Sequence, residues 1–113
     1  LWEVCAGTIE DEGPEACIER EAVEELGYRL HELKLAATMY GSPGSLSERV
    51  FCYTSAYTEA DKVSEGGGAS DEGEDIEVIE LPFDDAYARI ASGEIVDGKT
   101  ILLLQHLKLA SVT

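Results

Sequence analysis

Apolar residues recur along this 113-residue chain in two rhythms, and their alternation predicts a mixed α/β fold. A period of two marks extended segments at residues 2–6, 32–40 and 48–57, and a fourth at 76–81 is stopped by Pro82. In the third, Phe51, Tyr53 and Tyr57 fall on one face, with Val50, Cys52 and Ala56 on the other. Helical spacing takes over at residues 15–26, where Ala16, Cys17, Val23 and Leu26 form a candidate buried seam. It returns at Phe83, Ala86, Tyr87 and Ile90, a helix that Gly93 ends. A last helix starts at Lys99, with Ile101, Leu104 and Leu107 along one side and further leucines that ask for burial on more than one side. Between these elements, residues 59–73 form an acidic, Gly- and Ser-rich loop longer than a packed connection needs.

The first helix carries the strongest chemical signal. Asp11-Glu12-Gly13-Pro14 offers capping residues and a proline suited to a first turn, while Gly27 stands where a left-handed stop belongs. Within Arg20-Glu21-Ala22-Val23-Glu24-Glu25-Leu26-Gly27-Tyr28, Glu21 meets Glu24 at i,i+3 and Glu25 at i,i+4. Like charges so spaced repel by about a few tenths of a kcal/mol per pair. A chain tolerates this most readily when a cation lies among them.

Charge and cysteine content narrow the classes. A net charge of −16 excludes nucleic-acid phosphate as an expected partner, because phosphate recognition needs clustered Lys and Arg. Cys5, Cys17 and Cys52 are odd in number, without CxxC spacing or a secretory leader, which predicts reduced thiols in a cytoplasmic protein rather than a disulfide framework or a zinc site. The longest apolar run, residues 101–104, is far too short for a bilayer, so no membrane role is expected. The length suits one modest domain spanning residues 1–113.

The segment from Gly7 to Tyr28 resembles the Nudix box, whose pattern is a glycine, five residues, a glutamate, seven residues and R-E-U-x-E-E-x-G-U, with U bulky and apolar. The right-hand half fits at every fixed position, with Ala22 a small occupant of the first U. On the left, only four residues separate Gly7 from Glu12, so the loop is one residue short and a role for Glu12 is left open. Further stretches at residues 1–7, 39–44, 66–68, 74–82 and 93–100 are similar to the nucleotide-sugar and ADP-ribose pyrophosphatase branch of that family.

The resemblance implies an α/β/α sandwich with a mixed sheet, lacking the N-terminal strands that the family has ahead of the position of Leu1. It implies magnesium, with manganese as the alternative, held by Glu21, Glu25, the carbonyl of Ala6 and a distant loop acid. Glu74 fits that acid, with Glu72 the competing choice, and Glu24 is expected in support or paired with Arg20. Gly7 and Thr8 would offer backbone N–H groups to phosphate, Gly68 and Gly73 would line a loop over the sugar, and Lys99 would meet a phosphate oxygen. Glu25, Glu48 and Glu74 are the candidate catalytic acids and bases, with Glu48 also a substrate contact. The implied reaction is hydrolysis of a nucleotide-sugar diphosphate, GDP-mannose first, by a homodimer. A UDP-sugar or ADP-ribose pyrophosphatase and a non-catalytic nucleotide-binding module are the alternatives. His31 and His106 fall in no motif and are assigned no chemistry.

Overall fold

The computed structural model describes residues 1–41, 48–68 and 75–111. It resolves into two compact units, one of Leu1–Val4, Lys34–Thr54 and Leu81–Thr113, the other of Cys5–Leu33 and Ser55–Glu80. Helix and sheet are both present, as the mixed periodicity predicts. Among the described residues the sheet has two strands, and no helix is long and apolar enough to cross a membrane.

In the first unit, strands β1 (Lys34–Tyr40) and β2 (Arg49–Thr54) pair antiparallel. Leu35 faces Tyr53 and Ala37 faces Cys52, so Ala36 is an extra residue that bulges the ladder. Helix α2 (Phe83–Ser92) ends on Gly93 at φ 83°, the left-handed stop its sequence calls for. Helix α3 (Gly98–Ser111) follows and packs against both α2 and β2. Among the described residues of this unit, Cys52, Ile95, Thr100 and Leu103 are buried and form its core.

The start of α3 is held by Asp97. Its carbonyl accepts the Ile101 amide at 3.0 Å, and its carboxylate accepts the Thr100 amide at 3.1 Å, the Thr100 hydroxyl at 2.7 Å and the Lys99 ammonium at 3.1 Å. Burial pushes the Asp97 carboxyl up, but the bonds from Thr100 and Lys99 outweigh it and hold the group below its ordinary value of 3.8. A depressed carboxyl stabilises the fold above the unfolded-state pKa, and that contribution is lost as pH falls through the lower folded-state value. Asp97→Ala is therefore expected to cost about 1–2 kcal/mol in denaturant unfolding at pH 7, with the deficit shrinking below pH 3.8. Asp97→Asn keeps a capping side chain and should recover part of that loss.

The segment at residues 2–4 is not a strand. Val4 donates its amide to the Thr100 hydroxyl at 3.0 Å, the Trp2 ring lies 4.6 Å from the Arg89 guanidinium, and Glu3 pairs with Lys99 at 2.9 Å. An extended backbone whose amide is spent on a side chain forms no ladder there.

In the second unit, helix α1 (Pro14–Glu21) runs without a break into a π-helical turn, Ala22–Leu26, closed by Gly27 at φ 79°. The helix thus covers the residues its periodicity marks. Its N-cap is Gly13, which makes no side-chain cap, and Pro14 opens the first turn. Cys17 and Ala22 are buried, whereas Ala16 and Val23 are exposed, which corrects the expected seam. A 3.6-residue phase does not carry through a turn whose bond closes five residues apart, as Gly27 N–H to Ala22 C=O does.

A return segment follows a short 3₁₀ turn, Glu59–Asp61, and runs antiparallel back along the π turn. Arg29 donates to the Asp61 carbonyl at 2.9 Å, Val63 to Gly27 at 2.7 Å, Gly67 to Glu25 at 2.8 Å and Gly68 to Glu24 at 2.9 Å. Gly66, Gly67 and Gly68 all adopt positive φ. The strand expected at residues 76–81 likewise forms no ladder among the described residues, and the Ile76 amide bonds the Gly67 carbonyl at 3.2 Å.

Candidate active site

The carboxylates flagged on the first helix, Glu21, Glu24 and Glu25, lie together in the second unit, at the junction of α1 with its π turn. Arg20 is the cation among them. Its Nε and terminal nitrogen reach Glu12 at 2.9 and 2.7 Å, its other terminal nitrogen meets Glu21 at 2.8 Å, and Glu24 lies 3.9 Å away. Glu12, which the shortened loop left without a role, is therefore the main anchor of Arg20. Its own backbone amide and Arg20 hold the Glu12 carboxyl below its usual range. Spacing alone misses this contact, since Glu12 lies outside the helix.

The Glu21 side chain is 12% exposed, more enclosed than those of Glu12 and Glu24. Burial and then the charge of Glu25 push its carboxyl up, and Arg20 only partly opposes them. Gly7 explains how Glu21 fits. A Cβ on Gly7 would stand 2.3 Å from the Glu21 carboxyl carbon, so the glycine leaves the space that the carboxylate fills. Glu25 accepts the Ala6 amide at 3.3 Å. The Cys5 thiol is held far above its ordinary range by burial and by the Glu25 carboxylate beside it, so it stands there protonated.

Gly7, Ala6, Glu21 and Glu25 are thus gathered in one place, as the box pattern requires, with Thr8 exposed next in the chain. Gly68 is drawn onto the same turn, but as a donor to the Glu24 carbonyl. Glu74, Glu72 and Gly73 lie outside the described residues. Glu48 belongs to the first unit, exposed just ahead of β2, and Lys99 is there too, its ammonium shared between Glu3 at 2.9 Å and Asp97 at 3.1 Å. A phosphate oxygen reaching Lys99 would compete with both carboxylates.

A carboxylate whose charge is disfavoured by burial, a second one beside it and a space shaped around the first would suit a hard divalent cation such as magnesium, which prefers oxygen donors. Among the described residues no three acids, histidines or cysteines are grouped closely enough to hold a metal by themselves. A cation held by Glu21 and Glu25 would therefore need further donors.

The NUDIX domain model matches residues 1–104. The chain belongs to the Nudix family. Among curated proteins, this Nudix chain is 44% identical over 112 residues to the GDP-mannose pyrophosphatase of Cronobacter sakazakii, covering 99% of the chain and 58% of that protein. It is 45% identical over 112 residues to the enzyme of that name from Citrobacter koseri, with the same two coverages. The Escherichia coli protein of the same name is 44% identical over 110 residues, 97% of the chain and 56% of the relative. The chain spans somewhat over half the length of the curated relatives it matches.

Proposed function

We propose that this Nudix chain hydrolyses the diphosphate of a nucleotide sugar, GDP-mannose first, giving GMP and mannose 1-phosphate. The observation that carries the reading is the clustering of Glu21 and Glu25 beside Ala6 and Gly7, with Arg20 balancing the neighbouring acids. Likeness to the GDP-mannose pyrophosphatases supports the choice of substrate.

Glu21, Glu25, the carbonyl of Ala6 and Glu74 would hold the magnesium ion, with manganese as a substitute. Bound there, the ion would offset charge on the phosphate oxygens and acidify the attacking water. The chain's own residues supply the rest. Gly7 and Thr8 present backbone N–H groups to phosphate without a bulky side chain between, Gly73 adds a flexible position over the sugar, and Lys99 adds a point charge. Water adds to one phosphorus as the bond from that phosphorus to the bridging oxygen breaks. The water proton passes to a carboxylate, with Glu48, Glu74 and Glu25 as the candidate bases. Residues 1–113 act as one catalytic domain with the family's α/β/α sandwich, in a cytoplasmic homodimer. The free cysteines agree with a reducing compartment.

Incubation with GDP-mannose, UDP-glucose and ADP-ribose, each with magnesium or with chelator, tests the reading. Sugar 1-phosphate release that needs magnesium and is fastest by kcat/KM for GDP-mannose is expected. A different preferred substrate would redirect the assignment to a UDP-sugar or ADP-ribose pyrophosphatase. Binding of any of them without turnover would replace the enzyme with a binding module.

A further inference from the structure

Helix α3 carries more apolar surface than its own unit covers. Its buried residues are Thr100 and Leu103, while Leu107 is 41% and Leu109 69% exposed. A helix apolar on every side belongs in an interior. Beside it, a groove of about 420 Å³ opens between β1 and α3, with Ala36, Ala37 and Gly98 as its small lining residues and Leu109 as a large one. Consecutive strand residues ordinarily face opposite ways, and the bulge at Ala36 lets both alanines line the same groove.

Charge narrows what can cover this face. Strands β1 and β2 and helix α3 hold none of the chain's 24 Asp and Glu and half of its eight Lys and Arg. Three of those four cations are already engaged. The Lys99 ammonium lies between Glu3 and Asp97, the Arg49 guanidinium stands 5.7 Å from the Phe51 ring, and the Lys108 ammonium 5.3 Å from the Tyr87 ring. A basic partner finds no carboxylate on these elements, and an acidic one finds little free positive charge. The charge complement of such a face is another apolar face without acids. Between two chains of net charge −16, it is also where contact brings no carboxylate against a carboxylate.

We infer that the β1–α3 face is covered by the same face of a second copy of this chain, the two related by a two-fold axis. Such a contact needs a knob and a hole on one surface, and Leu109 and the small residues Ala36, Ala37 and Gly98 provide them. Gly98 and Leu109 lie about 16 Å apart along α3. With the two helices antiparallel, each Leu109 enters the small-residue part of the other groove, and the axis passes between Leu102 and Gln105. A glutamine amide both donates and accepts, so Gln105 pairs with Gln105 of the partner subunit. The inference gives the homodimer proposed above its surface and does not depend on turnover.

Sedimentation equilibrium over a wide range of protein concentration, without substrate or metal, tests it. A species of twice the chain mass is expected, tightening as salt screens the repulsion between the two acidic chains. Ala37→Glu and Leu109→Glu each enter a two-fold contact twice, and each should weaken association by roughly tenfold or more. Val63→Glu, an exposed apolar position in the second unit, should leave it unchanged. Ala37→Lys combined with Leu109→Glu sets opposite charges across the axis and should restore the dimer, which a merely misfolded variant would not do. A monomer at every concentration, a dimer that neither glutamate weakens, or a double variant no better than Leu109→Glu alone would overturn the inference. A dimer indifferent to these positions keeps the homodimer and discards this surface, and a wild-type chain that hydrolyses nothing leaves the measurement untouched.

Discussion

Glu25→Gln is expected to remove magnesium-dependent turnover by about a hundredfold or more, while the protein stays folded and loses no stability. The substitution keeps the shape of the side chain, so its oxygen can still accept the Ala6 amide. It removes a negative charge that a bound cation would need, and metal-derived stabilisation of a phosphoryl transition state is worth several kcal/mol. The same change relieves Glu21, whose carboxyl is pushed up first by burial and then by the charge of Glu25. Two opposing readouts therefore separate function from fold, as is common where acids are crowded for chemistry. Rates at saturating magnesium and a thermal unfolding curve check both. Wild-type turnover in Glu25→Gln, or a collapse of stability, would refute the role assigned to this side chain.

The largest stability effect is expected at Gly66. Its φ is 74°, and an added Cβ would stand 2.5 Å from the Glu25 carbonyl oxygen and 2.6 Å from the Leu26 carbonyl carbon. Both are backbone atoms that cannot swing aside, so Gly66→Ala carries the left-handed cost of roughly 1–2 kcal/mol plus a steric term. A total of at least about 3 kcal/mol is expected, a large share of the stability of a small domain. Gly93→Ala is the matched control. Its φ is 83°, yet no atom lies within 4 Å of the added carbon, so only the backbone cost applies. Equal losses for the two in urea unfolding would show that the close approach of the backbones at Gly66 is unimportant.

The helical residues at 14–26 are legible in the sequence because their determinants are local. Pro14 fixes the opening φ, Gly27 permits the closing one, and the apolar spacing fills the interval. The change from α to π at Ala22 is not legible, as it follows from bonds to a return segment far along the chain. Residues 2–6 and 76–81 read as strands because periodicity reports extended backbone and is silent about what its amides bond. Val4 and Ala6 give theirs to side chains. Of the candidate site, Glu21 and Glu25 lie together as their helical spacing implies, and Ala6 and Gly7, which the resemblance to the box singles out, lie beside them. The binding of Glu12 to Arg20 and of Lys99 to Glu3 escapes a reading by spacing, since nothing in a linear pattern shows which opposite charges approach in space.

The π turn has one further consequence, for the order in which the site matures. A wide turn is a poor helix by itself, and the amides that cap its carbonyls, those of Gly67 and Gly68, arrive about forty residues later. Closing so long a loop is slow compared with winding α1, so the carboxylates would acquire their final spacing well after the helix that bears them. The exchange of those two glycine amides with solvent deuterium then becomes a clock for the candidate site, one that runs without metal or substrate.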